Sequence, residues 1–205
     1  MKFIEFKGIL SGYTIFSLKE IRRMDPAFHR RRLNEWQDKG YIKKIVSGQY
    51  IFSDLRLDEN AIFEIANRIY PPSYISFEMA LSYYGLIPES VYGVTSASTR
   101  RTYTFKTGVG EFLYRTIRPK LLFGYKIVNY GDKSFKIAMP EKALLDYFYI
   151  YPNIKNTEDY ASLRFNKKRL FGLMDEDRMR MFLKVFAQRT LKKRIRSFWE
   201  VMKHA

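Results

Sequence analysis

The chain has 205 residues, and a hydrophobic share of 46% with 17% aromatic residues is sufficient for packed cores, which excludes disorder throughout. It has no cysteine, which excludes disulfide frameworks and thiolate metal sites. A net charge of +16 favours polyanions, above all nucleic acid, because each neutralised phosphate releases counterions. With no apolar run near the roughly 20 residues of a membrane span, we expect a cytoplasmic protein without a membrane partner.

The N-terminal segment opens with three stretches whose apolar residues recur at helical spacing. These predicted helices cover residues 2–10, 18–24 and 26–39. Ser17, with Glu20 three residues later, has the pattern of a capping box for the second helix. Asp25 and Pro26 suit the cap and the first residue of the third helix, and Gly40 suits its left-handed stop. A short helix, a tight turn and a longer helix are typical of a helix-turn-helix.

Two strand-like runs follow the third helix directly. They cover residues 41–46 and 49–52, and Ser47-Gly48 between them is a two-residue turn with a glycine available for positive φ. A β-hairpin in this place is typical of the wing of a winged helix. We therefore predict that residues 1–54 form a winged helix-turn-helix DNA-binding domain.

The third helix carries the residue types that read DNA. At 100° per residue, Leu33 and Trp36 define its buried side, so Arg31 and Asn34 point away and His29 leans inwards. Arginine and asparagine match the guanine and adenine edges in the major groove. The predicted DNA contacts are Arg30, Arg31, Arg32 and Asn34 on this helix and Lys43, Lys44 and Gln49 on the wing. The alternative is that the arginine triplet is only a solvated face.

The second segment, after a linker at residues 54–60, mixes helices with strands. Helices are predicted at residues 60–69 and 76–84, the second capped by Ser76, and a further helix begins near residue 139. Runs rich in β-branched and aromatic residues lie at 90–98, 102–106, 111–117, 122–129 and 134–138. We predict that residues 60–205 form an α+β domain with a mostly antiparallel sheet of four or five strands and C-terminal helices.

One polar cluster in this segment suggests catalysis. Glu141, Lys142 and Asp146 are the residue types of a Mg²⁺-dependent nuclease. However, Glu141 and Lys142 are neighbours on a predicted helix and point about 100° apart. The nuclease pattern of an Asp followed by Glu-x-Lys on a β-hairpin is also absent from the sequence. The two histidines, His29 and His204, do not suit a metal site or a Ser/His/Asp arrangement. We predict a capping carboxylate and a structural ion pair, with no catalytic residues, metal or cofactor; a nuclease is the less favoured alternative.

The second segment also contains motifs in a distinctive order. They are Tyr74-Ile75-Ser76, Ala80-Leu81 with Gly85-Leu86, Phe105-Lys106-Thr107, Phe123-Gly124 and Ile137-Ala138-Met139-Pro140-Glu141-Lys142-Ala143-Leu144-Leu145-Asp146. This order resembles the AbiEi antitoxin family of type IV toxin–antitoxin (abortive infection) systems. Its sharpest part is the string from Pro140 to Asp146. The wing, Gly40-Tyr41-Ile42 with Ser47-Gly48-Gln49-Tyr50, matches the same family, so the resemblance spans about residues 4–150.

The resemblance implies a function for each segment. The winged helix would bind double-stranded DNA at inverted repeats in its own promoter and repress its own operon. The second domain would counteract a nucleotidyltransferase-like toxin without needing a stable complex with it. Lys43 and Lys44 stand where arginine is common in such wings, which favours phosphate contact over base readout at these positions.

The basic excess is largest in the tail. Residues 1–60 and 61–158 each carry a net charge of +4, whereas residues 159–205 carry +8. Two helices are predicted between residues 175 and 204, with core residues Phe182, Val185, Phe186, Leu191, Ile195, Phe198, Trp199 and Met202. Between them lie residues that form either a solvated face or nonspecific phosphate contacts: Lys192, Lys193, Arg194 and Arg196. A basic protein associated with RNA or the ribosome is therefore the main alternative to a DNA-binding repressor.

Overall fold

The computed structural model describes residues 1–88 and 92–204 and confirms the α+β class. Within these residues the helices are α1 (Phe3–Leu10), α2 (Leu18–Met24), α3 (Arg31–Asp38), α4 (Glu59–Ile69), α5 (Phe77–Tyr83), α6 (Pro140–Ile150), α7 (Thr157–Ser162), α8 (Lys167–Leu173), α9 (Glu176–Phe186) and α10 (Arg189–His204). The strands are β1 (Phe16–Ser17), β2 (Ile42–Val46), β3 (Gln49–Phe52), β4 (Ser73–Ile75), β5 (Val94–Ser98), β6 (Tyr103–Thr107), β7 (Gly110–Thr116), β8 (Tyr125–Tyr130) and β9 (Lys133–Ala138).

The N-terminal unit is a helical cluster closed by a small sheet. Strands β2 and β3 form the predicted hairpin, and Gly48 in its turn has a φ of +77°. Strand β1, which the sequence pattern did not indicate, pairs antiparallel with β3 and gives the order β1-β3-β2. Packed aromatic side chains fill the core; the Phe6 and Trp36 ring centroids lie 4.4 Å apart.

The predicted third helix from residue 26 is wrong in its start. Asp25 caps a turn instead, since its carboxylate accepts from the Ala27 N–H at 3.1 Å, and helix α3 begins only at Arg31. The reason lies in Phe28, which is buried and lies against the Phe6 ring at 5.8 Å. In a continuous helix Phe28 would point about 140° away from Leu33, so the turn is what brings it into the core.

The second domain is built on a six-stranded sheet within the described residues, in the order β6-β7-β5-β4-β9-β8. The pairs β6–β7, β4–β5 and β8–β9 are antiparallel, whereas β5–β7 and β4–β9 are parallel. The prediction of four or five strands did not include β4. Its residues directly precede a helix, and the sequence pattern indicates only a lead into that helix. The strand predicted at 90–98 begins at Val94, and residues 89–91 lie outside the described residues.

Helices surround this sheet. Helix α4 packs on β4, β5 and β9, and helix α5 packs on β5 and α6. The tail adds α7 and α8, which were not predicted, and α9 and α10, which were; both of the latter pack on α6. Val185 was expected in the core but is 39% exposed. Among the described residues, no helix has the length and apolar character to cross a membrane.

Candidate nucleic-acid interface

Helix α3 presents one face to the core and the other to solvent. Leu33 and Trp36 are buried as predicted. After Asp38 the chain turns at Gly40, which has a φ of +71°, and the Tyr41 N–H donates to the Trp36 carbonyl at 2.9 Å. This left-handed stop leads directly into β2, on which α3 packs, so α3 and the wing are neighbours.

The outer face of α3 carries free polar side chains. Arg30, Arg31 and Asn34 are exposed. Arg31 forms only a loose pair with Glu35, 3.7 Å between Nε and Oε1, and its side chain stays 90% exposed. His29 was expected to lean inwards but is exposed, because residue 29 belongs to the turn and not to the helix.

Arg32 differs from its two neighbours. It is half-buried, and its guanidinium donates a hydrogen bond to the main-chain carbonyl of Met1. The structure therefore places the first and second arginines of the triplet in solvent and ties the third to the N-terminus of the chain.

The wing offers two lysines and one inward amide. Lys43 and Lys44 are exposed on β2. Gln49 is half-buried, and its side-chain Oε1 is buried without a hydrogen-bond partner among the described residues. Of the three predicted wing contacts, the two lysines are the ones that point their charge into solvent.

The side of the wing opposite the N-terminal core packs on the second domain. Ile45 and Ile51 of the hairpin, together with Ile15, are buried in the same apolar cluster as the sheet of the second domain, and β2 contacts β6. The sequence pattern did not reveal this contact, although the two apolar faces of the hairpin were a signal for it. The wing is therefore held by two cores at once.

Polar contacts strengthen the same junction. The Glu20 carboxylate accepts from the Arg68 guanidinium of α4 at 3.0 Å, and the hydroxyls of Thr14 and Tyr130 lie 3.3 Å apart. Glu20 also accepts from the Ser17 N–H at 2.9 Å, which confirms the capping box. Partial burial alone would raise the pKa of Glu20, but hydrogen bonds, from Ser17 above all, and the charge of Arg68 lower it overall.

In the tail, Arg194 is engaged inside the protein. Its guanidinium donates to the carbonyls of Phe148 at 2.8 Å, Tyr151 at 2.9 Å and Ile154 at 3.3 Å. These carbonyls lie at and just beyond the C-terminal end of α6, which carries unsatisfied acceptors. Arg194 was expected among the phosphate contacts, and the structure gives its donors to the main chain instead.

The other predicted phosphate contacts of the tail lie on two sides of α10. Lys192 and Arg196 line a groove between α9 and α10. Lys193 is exposed, but at 100° per residue it points about 100° away from Lys192 and does not line the groove. The structure therefore does not bring the four basic residues together on one surface.

The polar cluster of α6 is sealed from solvent. Glu141, Lys142 and Asp146 are all 0% exposed. Lys142 forms an ion pair with Asp146, which also accepts from the hydroxyls of Tyr74 and Ser76 at 2.8 Å each. Burial lowers the pKa of Lys142, and the attraction of Asp146 opposes this only in part.

Two predictions about this cluster have separate outcomes. The structural ion pair is confirmed by the contact between Lys142 and Asp146. Ser76 does precede α5, but its hydroxyl makes no cap hydrogen bond, because it donates to Asp146. The predicted capping carboxylate, Glu141, does lie in the first turn of α6, but it accepts from the Asp175 N–H at 2.8 Å, at the start of α9. Tyr74 and Ser76 lie some 70 residues before their partner, and no local sequence signal could have identified them.

The comparisons with known proteins identify no relative, so the candidate site is inferred from the surface geometry. No family model matches the chain, and no curated protein matches it. Within residues 1–88 and 92–204, no group of three or more His, Asp or Glu side chains is arranged to hold a metal ion. The best-formed candidate for function is the solvent face of α3 with the lysines of the wing.

Proposed function

We propose that this chain is a DNA-binding transcriptional autorepressor that serves as the antitoxin of a type IV toxin–antitoxin system. The observation that carries the DNA-binding part is that Arg30 at the start of α3, and Arg31 and Asn34 on it, are exposed, together with Lys43 and Lys44 of the hairpin on which α3 packs. In a winged helix these two elements face the duplex together. A repressor acts where its operator is, so the proposal includes a cytoplasmic location.

Each side chain has a role that follows from its chemistry. Arg31 and Asn34 are one helical turn apart, and they would read a guanine and an adenine edge in the major groove. Arg30, at the N-terminal end of α3, would contact a phosphate that the helix dipole also attracts. Lys43 and Lys44 would contact the backbone beside the wing. The target would be the promoter of the chain's own gene, at inverted repeats.

A pair of matched variants tests this assignment. Arg31→Ala with Asn34→Ala should weaken binding to the upstream DNA by at least about tenfold, since each base contact contributes about 1–3 kcal/mol. The control is Arg118→Ala with Asn153→Ala, which removes the same residue types from exposed positions in the second domain. Fluorescence anisotropy with a labelled duplex measures both. Equal losses in the two double variants would refute the assignment.

The antitoxin role has a different support. It comes from the resemblance to the AbiEi family, which is sharpest at Pro140–Asp146, the first turns of α6. The functional partner would be a nucleotidyltransferase-like toxin encoded beside this gene. Co-expression of the two proteins should restore growth without the pair co-purifying. A failure to restore growth, or a neighbourhood without such a gene, would overturn the antitoxin role and leave DNA binding untouched.

We further propose that the second domain is not an enzyme. Glu141, Lys142 and Asp146, the only polar cluster that the sequence suggested for catalysis, have no exposed surface, so a substrate could not reach them without unfolding of the tail. Incubation of the purified chain with plasmid DNA and Mg²⁺ should leave the DNA intact. Cleavage that disappears in Glu141→Ala would favour the nuclease instead.

A further inference from the structure

Helices α9 and α10 leave an open groove between them. Both pack against α6, and a cavity of about 490 Å³ lies between them. Its floor is apolar: it is lined by Met179 and Leu183 of α9 and by Ile195 and Trp199 of α10, of which Leu183 and Trp199 keep accessible surface. Each pair is spaced by four residues, so each helix contributes a continuous apolar stripe along the groove.

The aromatic part of this floor is accessible. Trp199 is only half-buried, and its ring is packed edge-on against Phe171 of α8 at 5.4 Å. Phe171 is itself 41% exposed. An indole and a phenyl ring at the surface provide a large contact area for a partner with an apolar face.

The rim of the groove is strongly basic. Lys192, Arg196 and Lys203 of α10 are spaced by four and seven residues and share one face, and Lys184 of α9 lies on the same groove. None of these four has an ion-pair partner in the described part of the chain.

The acidic residues of the groove do not cancel this charge. Glu176 is paired with Arg180 at 3.0 Å, and Glu200, whose neighbour His204 is charged only when protonated, leaves one negative charge against four cations. Four cations without partners therefore flank an apolar floor. A ligand that is apolar on one side and negatively charged at its edges would be complementary to this surface.

We propose that the groove between α9 and α10 binds an acidic amphipathic helix of a partner protein. Apolar residues of the guest at i, i+3, i+4 and i+7 would lie along the floor, chiefly on the accessible surface of Leu183 and Trp199. Its flanking Glu and Asp residues would pair with the rim. Helix α10 has 16 residues and is therefore about 24 Å long, which accommodates a guest of about four turns.

The floor favours a peptide over nucleic acid. Phosphates are bound by cations and N–H donors and need no apolar surface, so a duplex would leave the half-buried Leu183 and Trp199 uncovered. Single-stranded nucleic acid could stack one base on Trp199, but it would still not use the accessible aliphatic surface of Leu183 on α9. Nucleic-acid binding is therefore the competing outcome of the test.

The test uses the full chain and a defined probe. A fluorescein-labelled peptide of about 16 residues, with Leu and Phe along one helical face and Glu elsewhere, is titrated and followed by anisotropy; a peptide of the same composition in shuffled order is the control. Unlabelled peptide should also shift the emission of Trp199, and Trp199→Phe should abolish that shift, because the other tryptophan, Trp36, is buried in the N-terminal core.

Charge reversal locates the site. Lys192→Glu with Arg196→Glu should weaken peptide binding by roughly tenfold or more. Arg189→Glu with Lys193→Glu makes the same change in charge on exposed positions of α10 outside the groove and should change binding by less than about threefold. Because Lys192 and Arg196 are exposed and unpaired, the fold should be retained, which circular dichroism checks.

Several results would overturn the proposal. These are equal binding of the ordered and shuffled peptides, equal effects of the two charge reversals, no binding of the ordered peptide, or competition by a single-stranded oligonucleotide that shifts Trp199 emission. Arg31→Ala with Asn34→Ala should bind the peptide as the unchanged chain does. The proposal for the groove is therefore tested independently of DNA recognition by α3.

Discussion

At the scale of single residues, a basic side chain and a basic surface are different things. Arg194 and Lys142 both count toward the net charge, but neither contributes to a basic surface. The Arg194 guanidinium is bound by carbonyls of the main chain, and the Lys142 side chain is completely buried. The four-residue spacing of Lys142 and Asp146 made their pair predictable. Nothing in the sequence near Arg194 indicates its carbonyl partners, because they are some 40 residues away.

Arg194 should therefore matter for stability. Arg194→Gln removes three donors from the end of α6 and should lower the free energy of unfolding by about 2–3 kcal/mol, as for hydrogen bonds made by a charged group. Lys193→Gln, at the exposed neighbouring position, should change it by less than about 0.5 kcal/mol. Urea denaturation followed by circular dichroism distinguishes them. Equal stability of the two variants would contradict the assigned role of Arg194.

The buried pair of α6 gives a second prediction. Lys142→Met leaves the Asp146 carboxylate buried without its cation and should destabilise the fold by about 3–5 kcal/mol. Lys142→Met combined with Asp146→Leu removes both charges and should recover part of that loss. The same urea titrations complete the double-mutant cycle. A double variant with additive losses would show that the two charges are independent.

At the scale of elements, the length of a helix or strand decides whether it can be predicted from the sequence. The hairpin β2–β3, the capping box of α2 and the long helices α4, α6, α9 and α10 were predictable because their periodicity and caps are local. Strands β1 and β4 have two and three residues, which is too short for any periodicity. These two strands form because they pair with β3 and β5, respectively. The late start of α3 was missed because burial of Phe28 overrides the helix signal of Asp25-Pro26.

The capping box of α2 predicts a pH dependence. The folded-state pKa of Glu20 is lowered, so the stability it contributes is fully present above its unfolded pKa near 4.5 and is lost as the pH falls through the folded pKa. Glu20→Gln should cost about 1 kcal/mol at pH 7, and this difference should shrink as the pH falls below 4.5 and through the lower folded-state pKa.

The control for Glu20 is another glutamate at the start of a helix. Glu59 begins α4 and is exposed, and Glu59→Gln should give a smaller loss of stability at pH 7. Urea unfolding between pH 3 and pH 7, a range of about four units around the reference pKa, compares the variants. A Glu20→Gln loss that is the same at every pH would contradict the role of its charge.

At the scale of the whole molecule, three isoleucines of the N-terminal unit belong to the core of the second domain, although each unit has an apolar cluster of its own. The sequence predicts two domains, 1–54 and 60–205, but it does not indicate that one side of the wing packs on the core of the second domain. By residue type, Ile45 and Ile51 are ordinary strand residues, and the packing of β2 on β6 shows their second role. This arrangement fixes the wing relative to the sheet.

Unfolding should therefore report on both units together. Ile45→Ala should lower the free energy of unfolding by about 2–4 kcal/mol, as for large-to-small changes in a core, and intrinsic tryptophan fluorescence and circular dichroism should give one coincident transition. Val185→Ala, at a half-exposed position of α9, should have little effect. Two separated transitions in the unchanged chain would show that the units fold independently.

The central claim is that the face formed by α3 and the wing recognises a specific DNA sequence. The most direct measurement is the ratio of affinities for the duplex upstream of the chain's own gene and for a duplex of the same length and composition in shuffled order, at physiological salt. We predict a ratio of about a thousand or more, falling sharply in Arg31→Ala with Asn34→Ala. Equal affinity of the unchanged chain for both duplexes would contradict the claim, because charge alone would then explain the binding.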